Sequence, residues 1–539
     1  MSLRRPFLMA MILNFSALAA LVACGGGSNT FTHPVPPPSG GFSKSDLNGT
    51  YVFSVSGTDT NGNAYAIVGA FTANGSGGIT GGTLDVNDGG STVSNSALSS
   101  GSSYSVGVDG RGQAQLNNST GFGTIILDFV LQDSTHGLVT EFDNNASGSG
   151  SLDLQASGTT PNGSYAFLLS GAYGSNGMIT VGNFTLASDN QTVSAGLEDF
   201  NAGGAVYNNS GAGEVVSGTL ALGPSSSPAT QFVTTNFTIT YDVFAIDATH
   251  LKFIEMDPNG TLSGDAFAQT STSMPLSSTL AFTLLGGTSS SVVAAGGFMV
   301  TDSAGNVSNS STEDVNSTGS FSPSPITFSA QTSGVAGSGR LTLALSGFTG
   351  GTEYVAYPSS AGLLLLEIDG TGAMMAGNAL TQSSTDSLST SQGYALNLSG
   401  TNLGLTTGQP VEVDDIAEFA TASSGTNLTG VTDENYAPGA VPNYALALSG
   451  SYSAPDSNGR GQLAANAGNK NNGTINGGFS LTYYTVDGTS FPFIESDNGQ
   501  VTVGVFLKQN SSASSSAATR SHTFVLPTLV RPHLARKQN

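Results

Sequence analysis

The chain has no tryptophan, one cysteine, and 13 lysines and arginines against 36 aspartates and glutamates. A single cysteine excludes an intrachain disulfide and any two-cysteine metal site. So few basic residues argue against a nucleic-acid surface, because phosphates need a cationic one. Without tryptophan there is no indole to stack a sugar ring or to form a membrane-interface girdle. What the chain does have is Gly, Ser, Thr and Asn in abundance, with 28 Phe and 15 Tyr. That mixture predicts short strands and many turns rather than helices. At 539 residues, several cores and about three to five domains are expected.

The position of the lone cysteine accounts for it. The chain opens MSLRRPFLMAMILNFSALAALVAC, two arginines followed by an apolar run from Pro6 to Ala23 and then small residues. This is the pattern of an export signal, and the run is shorter than the ~20 residues a membrane span needs. Leu21-Val22-Ala23-Cys24, followed by GGGS, resembles the lipobox of bacterial lipoproteins. The resemblance implies cleavage before Cys24 and acylation of that cysteine, which would hold the protein to a lipid bilayer. By the same analogy Gly25, rather than Asp, after the cysteine implies the outer membrane, on either its periplasmic or its surface-exposed face. Cleavage would remove two arginines and no acid, taking the formal charge from −23 to −25. Residues 511–539 carry four basic groups and no acid, which leaves −29 on residues 24–510, so the body reads as a polyanion.

After the signal (1–23) comes a Gly/Pro-rich tether (24–46) containing Pro36-Pro37-Pro38. A pattern then begins and returns three times: NGTYVFSVSG, NGSYAFLLSG, SSTLAFTLLGG and SQGYALNLSG. The markers Tyr51, Tyr165, Leu280 and Tyr394 are 114, 115 and 114 residues apart. Other features keep that register. An Asp-x-Asn unit recurs as Asp85/Asn87, Asp199/Asn201, Asp314/Asn316 and Asp433/Asn435. A Glu-x-Asp unit recurs as Glu141/Asp143, Glu255/Asp257, Glu367/Asp369 and Glu495/Asp497, and each repeat closes on Gln155, Gln269, Gln382 or Gln509. The reading is four tandem modules, at 47–156, 161–270, 276–383 and 391–510, with a basic, disordered tail at 511–539.

Within module one, turn signals DTNGN, NGSGG, NDGG, DGRG and FDNN separate eight short strand-like runs. Eight antiparallel strands of this kind predict an up-and-down barrel, closed so that no edge is left bare. A two-sheet β-sandwich is the alternative. A transmembrane barrel is disfavoured by the Ser/Gly-dense strands and by the self-similar modules. The G-x-Y-x-F openings and G-R-G turns across residues 47–510 resemble large repeat lipoproteins of acidobacterial type, a group that brings no assigned activity or ligand.

The Glu-x-Asp units are the first candidates for chemistry. In LKFIEMD, LLLLEID and FPFIESD the glutamate follows apolar neighbours on its own face of the strand, so a half-buried carboxyl is expected. Such a carboxyl either gains a partner or moves towards its neutral form. The aspartates open turns in DNN, DPNG, DGTG and DNG. Arg111 and Arg340 lie 60 residues after their markers and Arg460 lies 66 after its own, each preceded by glycine, while module two has none. Only seven basic residues occupy 24–510, so the expectation is three structural ion pairs: Arg111 with Glu141, Arg340 with Glu367, and Arg460 with Glu495.

Catalytic and metal readings fare worse. Glycosidase chemistry needs carboxylates flanking a cleft, and Glu141 and Asp143 are neighbours on one strand. No G-x-S-x-G stands at a credible strand-to-helix turn. His136 and His250 share a place in modules one and two and read as turn residues, as do the Asp-x-Asn units. DTNGNAYAIVGA begins like a calcium loop but has Ala64 where glycine is needed and Ala70 where the closing glutamate belongs. No catalytic residue, metal or cofactor is assigned. The expectation is a monomeric, membrane-anchored exported lipoprotein with a non-enzymatic binding, adhesive or structural role at the cell envelope, towards an unidentified envelope or extracellular ligand. A small-ligand carrier using the barrel interiors is the alternative, and an extracytoplasmic hydrolase ranks last.

Overall fold

The computed structural model describes residues 41–511 other than 120, 122, 225, 227–228, 289, 335–336, 405–409, 439–441 and 468–477. Cys24, the residues before 41 and the tail after 511 lie outside the described residues. What is described is all β, with two single-turn 3-10 segments and no α-helix.

The strands form four antiparallel barrels. Their first and last strands are Asn48–Asp59 and Ala146–Leu154, Ser164–Tyr173 and Gly260–Ala268, Thr279–Thr288 and Met374–Thr381, and Gly393–Asn402 and Gln500–Lys508. In each, the first strand pairs with both the second and the last, which decides for a barrel over a sandwich. Tyr51 lies opposite Phe71 on one side and Leu154 on the other, and Tyr394 lies between Phe419 and Lys508. Barrel four closes through eight consecutive strands. Barrels two and three reach eight by the same route and add short accessory strands. In barrel one the third and fourth strands meet at the Gly78–Ser103 bridge. There the strand Ser91–Ala97, which the sequence pattern did not predict, forms an extra hairpin on the third strand beyond the NDGG turn.

The marker residues explain why the repeat folds this way. Tyr51, Tyr165 and Tyr394 point inward and stack across the first pair of strands on Phe71, Phe184 and Phe419, with ring centroids 6.1, 5.2 and 5.2 Å apart. In barrel three Leu280 faces Met299 at the same place. Phenylalanines, tyrosines and leucines fill the rest of each interior. In barrel four Phe419, Tyr483, Phe491 and Phe493 pack around Phe506. A barrel of eight strands is just wide enough for side chains to fill it. Each such ring or Leu fully withdrawn from water contributes about 1.5–3 kcal/mol.

The barrels do not form a linear stack. Barrel one packs on two through Val52, Val68, Phe244, Ile246 and Ile254. Barrels two and three share a cluster with Leu168, Ile179, Leu364 and Leu366, and Phe298 of three meets Tyr484 and Val486 of four. Barrel four then returns to barrel one, with Ile416, Val505 and Leu507 against Val130 and Leu138. Four seams therefore close the chain into a ring. All are head-to-tail, the type of contact that makes a ring when its rotation closes and a filament when it does not.

Candidate functional site: the four seams

The asparagine of each Asp-x-Asn unit points out of its own barrel and into the next. Asn87 Nδ2 donates to the main-chain oxygens of Glu255 and Gly260, at 2.7 and 2.8 Å. Asn201 Nδ2 donates to Glu367 O and Ala373 O, and Asn316 Nδ2 to Glu495 O and Gln500 O. Asn435 Nδ2 completes the circuit on Glu141 O and Ala146 O of barrel one, at 2.8 and 2.9 Å. The same amides cap local turns through Oδ1, which accepts from Gly90, Gly204 and Gly319 N–H in the first three barrels. The turn reading was therefore half of the truth. A strand alternates its faces, so Asp and Asn at i and i+2 both leave the barrel while the residue between them enters it.

The closing glutamines make the second clamp. Gln155 Nε2 donates to Ala245 O, Gln269 to Pro358 O, and Gln382 to Asn458 O and Thr485 O. Gln509 reaches Asp109 O and Leu131 O of barrel one, at 2.8 and 2.9 Å. This explains the glycine before each arginine. Gly110, Gly339 and Gly459 have φ of +83°, +73° and +98°, and a Cβ on them would meet the amides of Gln509, Gln269 and Gln382 at 2.7, 2.5 and 2.6 Å. Both constraints select glycine.

The arginines are not paired with the glutamates. Arg340 grips Asp199 of barrel two with Nε at 2.8 Å and Nη2 at 2.6 Å, and Tyr357 Oη donates to the same carboxylate at 2.6 Å. Arg460 grips Asp314 of barrel three at 2.8 Å through both Nε and Nη2, joined by Tyr484. Arg111 turns to Asp109 of its own barrel, Nε to Oδ2 at 2.7 Å. The expected pairs Arg111 with Glu141, Arg340 with Glu367 and Arg460 with Glu495 are thus replaced by aspartate pairs. The reason is geometric: the glutamates point into their barrels, whereas Arg340 and Arg460 reach back across the seam to the preceding barrel.

Module two has no arginine, and its place is taken by a cluster that the sequence did not reveal. Lys252 Nζ lies 3.0 Å from Asp265 and 3.7 Å from Asp153 of barrel one, and donates to the hydroxyls of Ser54 and Ser151. His136 Nδ1 meets Asp153 at 2.6 Å and His250 Nε2 meets Asp265 at 2.7 Å. The two histidines are therefore partners of last-strand aspartates rather than turn residues. Burial works against the Asp153 charge, but His136 and then Lys252 hold its carboxyl far below the usual range. The signal available in the sequence was the His-x-x-x-x-Glu spacing shared by modules one and two; nothing in it located the partners of Lys252.

Glu141, Glu255, Glu367 and Glu495 are fully buried, and no described cation lies within salt-bridge reach of them. Burial, reinforced by Asp257 and Asp369, pushes Glu255 and Glu367 up to about 9. Burial followed by Asp143 and Asp497 raises Glu141 and Glu495 well above the usual range. The aspartates of these units open turns: Asp143, Asp257, Asp369 and Asp497 each accept the N–H two residues on, at 2.7 to 3.0 Å.

Of the 36 acidic residues 23 are buried, so most of the carboxyls are withdrawn from the outer surface. No cluster of three or more potential metal ligands occurs among the described residues. A recess of about 80 Å³ opens at the first seam beside Asn63, Gly174, Asn259 and Thr261. Small-molecule sites are usually several times larger.

No family model matches the chain, and no curated protein matches it. Among solved structures, the isotype 1 transferrin binding protein B of serogroup B Neisseria meningitidis is 11% identical over 69% of this chain and 84% of that chain, with a TM-score of 0.21. The intact Ap-TbpB with N and C lobes is 8% identical over 71% and 86%, with a TM-score of 0.16. Likenesses at this level carry no argument for architecture or ligand.

Proposed function

We propose that this chain is a lipid-anchored exported protein whose four barrels form a rigid platform with a non-enzymatic structural or binding role at the cell envelope. The observation that carries the reading is the closed ring: four filled barrels joined by the same asparagine and glutamine clamps at every seam. The residues that recur with the repeat hold the barrels to one another. Filled interiors leave the small-ligand carrier without supporting evidence. The ring also alters the adhesive variant of this reading, since it offers a broad face rather than a long arm.

Anchoring supplies the orientation. Acylated Cys24 and the 24–46 tether would attach to barrel one, whose first strand begins at Asn48. The test is incorporation of labelled palmitate into the full-length protein and its Cys24→Ser variant, followed by membrane fractionation. Label and membrane association in the wild type, both lost in the variant, are the expected result. An unlabelled wild type, or a Cys24→Ser protein that stays with the outer membrane, overturns the anchor; protease treatment of intact cells then assigns the membrane face.

A further inference from the structure

The two ends of the described chain meet at one point. Gly41 N–H donates to Ser511 Oγ at 3.2 Å. The residues next to them are fixed on barrel one: Phe42 N–H donates to Val108 O at 3.3 Å and Asn510 N–H to Gln132 O at 2.7 Å. Gly110 confirms the convergence, because a Cβ placed on it would stand 3.0 Å from the buried Phe42 ring and 2.7 Å from Gln509 Nε2. The segment that runs from Cys24 and the tail that follows Ser511 therefore join the body side by side, at the closing seam.

The tail differs from the body in the sign of its charge. Residues 512–539 carry Arg520, Arg531, Arg536 and Lys537 and no acid, whereas the far longer stretch 24–510 has seven basic residues in all. Phe524, Leu526, Leu529 and Leu534 are set among the four cations. Basic residues that reach an anionic lipid surface each strengthen binding about fivefold, and apolar side chains between them add to it. The carboxylates on the segments around the tail's root already have partners. Asp109 is held by Arg111, Asp133 accepts from the N–H groups of Thr135 and His136, and Asp46 accepts from Ser43 N–H. None of these three is left over for the tail.

Resting on the lipid-anchored reading above, we propose that residues 512–539 are a second membrane contact, electrostatic rather than covalent, which binds the phosphate headgroups of anionic lipid beside the acyl anchor. Chain length permits it: 17 residues separate Cys24 from Gly41 and nine separate Ser511 from Arg520, spans of at most about 60 and 30 Å. A single attachment of that length lets the body stand well away from the bilayer. A second one rooted at the same point draws the closing seam towards the surface, and an acyl group combined with a basic segment is one of the pairings that make membrane attachment stable.

The experiment is flotation of a chain that starts at Gly25, which keeps all four barrels but has neither the signal nor Cys24, with vesicles of phosphatidylcholine alone or mixed with phosphatidylglycerol. At low salt, binding to the mixed vesicles should exceed binding to phosphatidylcholine by about a hundredfold or more and fall about fivefold for each basic residue replaced. It should reach the phosphatidylcholine level in Arg520→Gln/Arg531→Gln/Arg536→Gln/Lys537→Gln, whose changes all lie outside the barrels, and high salt should abolish it. Inorganic phosphate should compete no better than chloride at equal ionic strength, as expected for a lipid surface rather than a site for free phosphate. Equal binding of the wild type and the quadruple variant to mixed vesicles, equal binding of the wild type to both kinds of vesicle, or specific competition by phosphate overturns the proposal. The anchor is tested separately. This chain has no cysteine to acylate, so a failure of palmitate labelling leaves the flotation result unchanged, and a failure of flotation leaves the labelling result unchanged.

Discussion

Replacing Arg340 by methionine gives the most discriminating prediction. Arg340 is 3% exposed and Asp199 is fully buried, and their bidentate bond crosses the seam between barrels two and three. Methionine keeps most of the aliphatic stem but leaves Asp199 with only the Tyr357 hydroxyl. Removing one partner of a buried pair costs about 3–5 kcal/mol, because the remaining charge is uncompensated. Even with the arginine present, burial already raises Asp199 above its ordinary range. Without it the carboxyl has to take up a proton in the folded state, so the loss should deepen as pH rises from 5 to 8. The assay is urea unfolding of the full chain at both pH values, with each transition fitted separately because four barrels need not unfold as one.

The second substitution decides between the two pairings. If Asp199 is the partner, Arg340→Met/Asp199→Asn should recover about half or more of the loss, because an amide is buried at lower cost than a bare carboxylate. If the sequence-derived partner Glu367 were correct, Glu367→Gln would rescue instead. A loss below about 1 kcal/mol for Arg340→Met, the size of an exposed ion pair, would refute the seam argument. Rescue by Glu367→Gln but not by Asp199→Asn would do the same.

Glu255→Gln and Glu367→Gln should stabilise the protein at pH 8. Both carboxyls are raised to about 9, so stability present below about 4.5 is lost as pH rises towards 9, at about 1.4 kcal/mol per unit for each group; a stability profile unchanged in slope would contradict this. Asn435→Ala leaves the main-chain oxygens of Glu141 and Ala146 without their donor, and should weaken the closing seam by about 2–4 kcal/mol. Small-angle scattering should then show a larger radius of gyration, whereas an unchanged curve would mean that the apolar contacts alone keep the ring shut. Phe506→Ala empties the centre of barrel four, where Phe506 stacks on Phe491 at 4.8 Å. It should cost about 3–5 kcal/mol, and a cost below about 1 kcal/mol would show that the interior is not packed as described.

Much of the structure was legible in the chain. Tyr51, Tyr165, Leu280 and Tyr394 mark the first strand of each barrel because an inward aromatic or aliphatic residue is needed opposite the second strand. The turn signals gave eight strands per module, and the accessory strand Ser91–Ala97 escaped because its run STVSNSA has little apolar alternation. The functional groupings were less legible. Lys252, Asp153 and Asp265 come from two modules and share no motif, and Arg111, Arg340 and Arg460 recur in register without indicating which copy they face.

That distinction separates what the sequence determined from what the tertiary structure decided. A repeat specifies local things: strand periodicity, turn glycines, the inward face, and which residues recur. It does so because each module folds by contacts within about 110 residues of itself. It cannot specify a partner, since Arg340 stands at a definite place relative to both Asp314 of its own module and Asp199 of the one before. The packed structure chose Asp199, because alternating faces send the glutamates inward and the aspartates outward, and because four copies of one head-to-tail contact return barrel four to barrel one.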